Sequence, residues 1–395
     1  MASLPEARSA ADPLELGRLR DPHGVLSLYV DADPHEQAAT RPAWVVAAEN
    51  GLREIRDRVK SGGDRARWTA LFERLDELEP EISTLLDPRH PGRGRALFAT
   101  VGGGDVRRVH LHVPLVNRVV LDDGADLMPL LTALDRGRPV GVIAVSQSEL
   151  RVLEHRLGLV EEVRSLSLEP DTSEWRELKG PAAANPGLAQ HSAPQRDRFE
   201  RRLDEHRLRA LESATGLLES AASGRGWDFV LVAGDPRLAD RLAVVFGRLD
   251  VTAIGRSLQG LGPAEIAEAV APELESAVLR RELVLVGRAR DAALSGNAGA
   301  LGLADVLTAL EDGRVAHLLI AADRPYPGAR TSDGRLAPAG IVPPGAQPDA
   351  LVPLPSLVAH VVERALAIDA QVTPLTQAAA DVIAEHDGIA ALLRW

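Results

Sequence analysis

Residues 227–255 read WDFVLVAGDPRLADRLAVVFGRLDVTAIG. The run FVLVA is short, apolar and closed by Gly234, the pattern of a buried strand. PRLADRLAVVFG then reads as a helix and DVTAIG as a second strand. A strand, a helix and a strand in succession indicate an α/β layer.

The same segment extends upstream. PVGVIAVSQSELRVLEHRLG (139–158) reads as two strands around Ser146-Gln147-Ser148. A polar stretch rich in Pro, Ala, Gly and Asn, 169–194, follows, and a structureless span of that length is usually functional or disordered. Beyond it, Phe199, Leu203, Ala210, Ala214 and Leu217 keep helical spacing to about Ala222.

On the N-terminal side, VLSLYV (25–30) is strand-like, and helices are expected from Trp44 to Lys60 and from Trp68 to Leu86. ALFATV and VRRVHLHV flank Gly102-Gly103-Gly104-Asp105, the pattern of a hairpin. A phosphate loop would need a Lys-Ser/Thr and a following helix, which this glycine run lacks. On the C-terminal side, a long helix over 263–290 leads to GLADVLTALEDG (helix) and RVAHLLIAAD (strand). A Pro/Gly-rich excursion from Arg324 to Pro348 follows, then a helix over 353–369, QVTPL (strand) and GIAALLRW. The expectation is an α/β chain with domains at 1–136, 137–260 and 261–395.

Composition narrows the function. A chain of 395 residues exceeds one ordinary core, so two or three domains of roughly 100–150 residues are expected. No apolar run approaches the roughly 20 residues that cross a bilayer, and MASLPEARSAADPLE lacks a signal-peptide core, so a cytoplasmic location is expected. The absence of cysteine excludes disulfides, thiolate zinc sites and Cys nucleophiles. A net charge of −12 argues against indiscriminate coating of nucleic acid, and 3% aromatics disfavours a base-stacking platform. Only Lys60 and Lys179 are lysines among 45 basic residues. Genomic composition bias and bidentate phosphate recognition both account for so much arginine.

Several constellations read more simply as structure. Asp31-Ala32-Asp33 with His35 resembles a metal-binding pair, but such carboxylates are common in turns and no partner set stands at metal spacing. His110 and His112 share one strand face and would need a third ligand from elsewhere, so a plain strand face is expected. Ser146 and Ser148 read as turn residues. No metal and no cofactor are expected.

The order of these pieces resembles the class-1 release factors of archaea and eukaryotes, the ribosome-rescue protein Pelota, and more closely their bacterial relatives, the Vms1-like release factors and Balon-type hibernation factors. GLADVLTALEDGRVAHLLI (302–320) is similar to the family's helix-strand unit, and the terminal GIAALLRW (388–395) to its closing strand. The resemblance implies an α/β N-terminal domain, a ribonuclease-H-like middle domain and a C-terminal α/β/α sandwich like the kink-turn RNA-binding proteins. It also implies that 169–194 corresponds to the loop that ends in Gly-Gly-Gln in release factors. There, glycines permit positive φ and close approach to RNA, and Gln positions the water that attacks the peptidyl-tRNA ester.

Here the matching residues are Leu188-Ala189-Gln190, followed by His191-Ser192-Ala193 and then Arg198-Phe199. Both glycines are gone, and extra residues separate Gln190 from the helix. A Cβ at a position needing positive φ costs roughly 1–2 kcal/mol, and about 1.4 kcal/mol on a barrier is already tenfold in rate. Gln190 is the catalytic candidate if the chain is a peptidyl-tRNA hydrolase or a tRNA-cleaving rescue factor.

His191, Arg196, Arg198, Arg202 and Arg209 are the candidate RNA-binding residues. On a helix, Arg198, Arg202 and Arg209 fall within about 40° of one another, away from the Phe199/Leu203/Ala210 face. Asp197, Glu200, Asp204 and Glu205 offer local ion pairs, so a solvated face and an RNA-facing stripe both stand. The resemblance implies a monomeric tRNA mimic in the ribosomal A site, contacting ribosomal RNA, with a translational GTPase such as elongation factor Tu on its C-terminal domain.

Overall fold

The computed structural model describes residues 12–36, 41–146, 149–168, 209, 212–234, 240, 242, 244–247, 249–296 and 298–395. The chain divides into two compact units, Met1–Arg136 with Glu275–Trp395, and Gly137–Leu274.

The second unit is built on five strands: β5 (Val140–Val145), β6 (Glu149–Arg156), β7 (Leu159–Ser167), β8 (Phe229–Ala233) and β9 (Asp250–Ile254). Their order is β7-β6-β5-β8-β9. β5, β6 and β7 pair antiparallel, whereas β8 and β9 continue parallel to β5. Three meandering strands extended by two parallel ones is the layout expected of a ribonuclease-H-like sheet. All five residues of β8 are buried, as its unbroken apolar run requires. A helix covering 212–225 places Ala214, Leu218 and Ala222 in one core with Ile143, Val152, Val230 and Trp227.

In the first unit, β1 (Arg20–Asp31), β2 (Gly94–Thr100), β3 (Val106–Leu111) and β4 (Arg118–Gly124) form an antiparallel sheet in the order β3-β2-β1-β4. Gly103 and Gly104, at φ of 99° and 90°, make the β2–β3 turn. Trp44, Leu52, Ile55, Leu71, Leu75 and Leu85 bring three helices onto this sheet. The single helix expected over 68–86 is two, Arg65–Glu77 and Glu79–Leu86. Pro80 lacks an N–H, and its ring would strike a carbonyl one turn back in a continuous helix, so the chain restarts there.

The C-terminal part holds a second sheet, β10 (Gly299–Leu301), β16 (Ile389–Leu393), β11 (Val315–Ala321) and β15 (Gln371–Leu375), hydrogen-bonded in that order. β11 runs parallel to β15 and antiparallel to β16. Helices Pro263–Leu294, Leu303–Glu311 and Val358–Ala367 alternate with these strands, and Val286 and Ala289 of the first pack against Leu319, Leu375 and Ala390. Two strands of the Pro/Gly-rich excursion, β12 (Gly328–Arg330) and β13 (Leu336–Pro338), form a small sheet with β14 (Val352–Leu354), which lies beyond it, β12 in the middle; the helix expected over 353–369 is shorter, Val358–Ala367. The α/β class expected from the sequence is the class of the structure.

Candidate functional site

The helix at 212–225 is the described part of the arginine-bearing segment, and its anchorage is specific. Glu154 on β6, only 2% exposed, accepts from Trp227 Nε1 at 3.0 Å and pairs with Arg156 at 3.0 Å and Arg225 at 3.4 Å. One buried carboxylate thus ties the helix end to the sheet through two guanidinium groups and an indole. Gly141 on β5 makes room for that indole, since a Cβ there would lie 2.3 Å from the ring. Arg209 lies at the other end, helical and exposed, and its carbonyl accepts from Ser213 Oγ at 2.7 Å. Ser213, Gly216, Glu219 and Ser220 are exposed with it, opposite the buried Ala214, Leu218 and Ala222. Gln190, His191, Arg196, Arg198 and Arg202 lie outside the described residues.

The other described sequence candidates resolve into structural roles, and Ser148 lies outside the described residues. Arg93 Nε donates to Asp31 Oδ1 at 2.8 Å and its Nη2 to Asp31 Oδ2 at 3.1 Å and Asp33 Oδ2 at 3.4 Å. The pair that resembled metal ligands is therefore bound to a guanidinium fork. His110 is half-buried, its ring centroid 4.8 Å from that of His90, whereas His112 is exposed beyond the strand end. Burial, then His90, Arg95 and Arg108, hold the His110 pKa below the usual imidazole value. Ser146 is a turn residue, its Oγ accepting from Glu149 N at 3.0 Å. Among the described residues no group of three His, Asp or Glu is placed to hold a metal ion.

A polar cleft of about 270 Å³ in the first unit was not foreseen, because Arg20, Arg330, His360, Glu363 and Arg364 converge from distant segments. Its charges answer one another: Arg20 pairs with Glu363, Arg330 with Asp123 at 3.1 Å, and Arg364 with Glu311 at 3.4 Å. Three cations matched by three carboxylates leave little field for a charged ligand.

In the segment that holds most of this five-stranded mixed sheet, the chain is similar to the bacterial archaeo-eukaryotic release factors. Residues 126–249 match the model of bacterial archaeo-eukaryotic release factor family 10. YocB of Bacillus subtilis, an uncharacterized protein, is 22% identical over 237 residues, 59% of this chain and 86% of that one. Among solved structures, the archaeal translation termination factor aRF1 is 20% identical with 98% of each chain covered, at a TM-score of 0.26. Pelota of Archaeoglobus fulgidus is 12% identical, covering 76% of this chain and 79% of that one, at a TM-score of 0.34. The fold accordingly rests on the chain's own sheet order. No described helix is long and apolar enough to cross a membrane.

Proposed function

We propose that this chain is a cytoplasmic, ribosome-associated translation factor that occupies the A site as a monomeric tRNA mimic without cleaving the peptidyl-tRNA ester. What supports the reading is the resemblance of Leu188-Ala189-Gln190, without its two glycines, to the Gly-Gly-Gln of release factors, in a chain whose residues 126–249 match the release-factor family model. Steric occupancy needs shape and phosphate contacts, whereas ester cleavage needs the backbone freedom that the two glycines supply. In this reading, segments 1–136, 137–260 and 261–395 act as three domains. The first points toward the decoding centre, and the middle one presents His191, Arg196, Arg198, Arg202 and Arg209 to RNA. The third meets a translational GTPase of the elongation factor Tu type.

Retention of Gln190 favours one alternative, a peptidyl-tRNA hydrolase or tRNA-cleaving rescue factor. Co-sedimentation and peptide release separate the two. The non-cleaving reading, that of a ribosome hibernation factor, expects wild type and Gln190→Ala to sediment equally with ribosomes and to be equally inert on stalled complexes. Release by wild type that Gln190→Ala abolishes would establish the alternative. Failure of both proteins to sediment at moderate salt would remove the ribosome from the account altogether. Arg198→Glu/Arg202→Glu/Arg209→Glu should weaken sedimentation about tenfold or more, with a shallower salt dependence, because fewer phosphates are then neutralised.

A further inference from the structure

Arg95, on β2, is fully buried and takes no part in the segment just discussed. Its Nε donates to Gly92 O at 2.9 Å, and its Nη1 to Leu85 O at 2.8 Å and Asp87 O at 2.7 Å. Nη2 donates to His90 O, and the guanidinium lies 5.5 Å from the Trp44 ring centroid. Every hydrogen-bond acceptor is a neutral carbonyl, so the side chain folds the 85–92 loop around a guanidinium that no carboxylate hydrogen-bonds, although the Asp87 charge acts on it.

What adjoins is an open hollow of about 590 Å³ lined by Ser83, Thr84, Asp87, Arg89, His90 and Pro91. Arg89 and Ser83 are exposed there, and among the described residues neither side chain is drawn into a hydrogen bond or ion pair. Thr84 Oγ1 spends its proton on Pro80 O at 2.8 Å, leaving lone pairs only. Asp87 supplies the one carboxylate, and its Oδ1 accepts the Arg89 backbone N–H at 2.9 Å. The His90 ring is propped against His110, which lies directly across the strand pair from Arg95. A guanidinium, a hydroxyl and an imidazole thus meet above a buried cation, donors suited to a tetrahedral oxyanion.

We propose that this hollow is an oxyanion site that takes a phosphate group, with Arg89 as the principal charged contact, Ser83 and His90 as donors, and Arg95 as the positioning residue that builds the loop. A free phosphorylated metabolite and an RNA backbone present the same group.

Titration calorimetry on the full chain tests it, with inorganic phosphate, adenosine 5′-monophosphate, adenosine and a short unstructured RNA as probes. Phosphate and the monophosphate should bind and adenosine should not. Arg89→Ala should weaken binding about tenfold and Ser83→Ala about threefold, the scale of one charge-assisted and one neutral contact. Both side chains are exposed, and equal melting temperatures would show that the variants remain folded. A free phosphate as the natural ligand predicts that the monophosphate binds at least as well as RNA. An RNA backbone predicts tighter RNA binding that inorganic phosphate displaces and Arg89→Ala weakens equally. Absence of binding by every phosphate-bearing probe, or affinities unchanged in Arg89→Ala, would overturn the site. The ribosome reading is scored separately by Gln190 and the middle-segment arginines, so either can fail alone.

Discussion

Arg95 and His155 show what burial does to a titratable residue that cannot escape it. Arg95 survives in the interior because four carbonyls accept from it, so Arg95→Met would leave the buried Leu85 carbonyl without a partner, while those of Asp87, His90 and Gly92 are only partly buried. An orphaned buried acceptor costs about 1–3 kcal/mol, and urea denaturation should register a loss of about that size. Retention of wild-type stability would mean that the loop is held by something else. His155 on β6 is 7% exposed, and burial lowers its pKa from 6.5 to about 4. Its folded pKa lies below its unfolded one, so the unfolded state binds the proton first as the pH falls. The stability that His155 contributes is present above 6.5 and is lost between 6.5 and about 4. From pH 7 to pH 4, wild type should therefore lose about 3 kcal/mol more than His155→Phe in matched denaturation curves.

At the scale of elements, the helix at 212–225 is held where its end meets the sheet. Trp227 reaches Glu154 over the flat backbone at Gly141, where a Cβ would lie 2.3 Å from the indole. Gly141→Ala should cost about 1–3 kcal/mol, the range for overpacking a core. Its signature would be a blue or red shift of tryptophan emission along with the lower melting temperature, and an unperturbed protein would show that the indole has room to move. The split of 65–86 into two helices at Pro80 follows from local chemistry. The β12–β14 sheet does not, since its three-residue strands gain their pairing only from residues brought in from 336–338 and 352–354. A three-residue run has too little periodicity to stand out from a Pro/Gly-rich stretch.

For the molecule as a whole, chain segments separated by the entire middle unit share one compact unit. Arg20 pairs with Glu363 and Arg330 with Asp123, and helix Pro13–Gly17 packs against helix Val358–Ala367. Arg20 and Glu363 are each about one-third exposed, so the pair is partly screened. Arg20→Glu should cost about 1–2 kcal/mol, more than an exposed pair because like charges then face each other, and adding Glu363→Arg should restore most of it. A double variant no better than the single one would show that the pairing is incidental.

The sequence by itself determined the alternation of strands and helices, the β2–β3 hairpin, the long helix beginning at Pro263 and the release-factor resemblance. All of these are written in local periodicity, turn chemistry and short motifs. Tertiary structure decided which of those elements share a sheet and in what order, that Asp31 and Asp33 face Arg93, and that His110 lies against His90. It also decided that Ser83, Arg89 and His90 gather above the buried Arg95. Such placements depend on contacts between residues far apart in the chain, whose energies no local pattern encodes. Burial then fixed the behaviour of each group, because a guanidinium or an imidazole has the same letter in the sequence whether water reaches it or not.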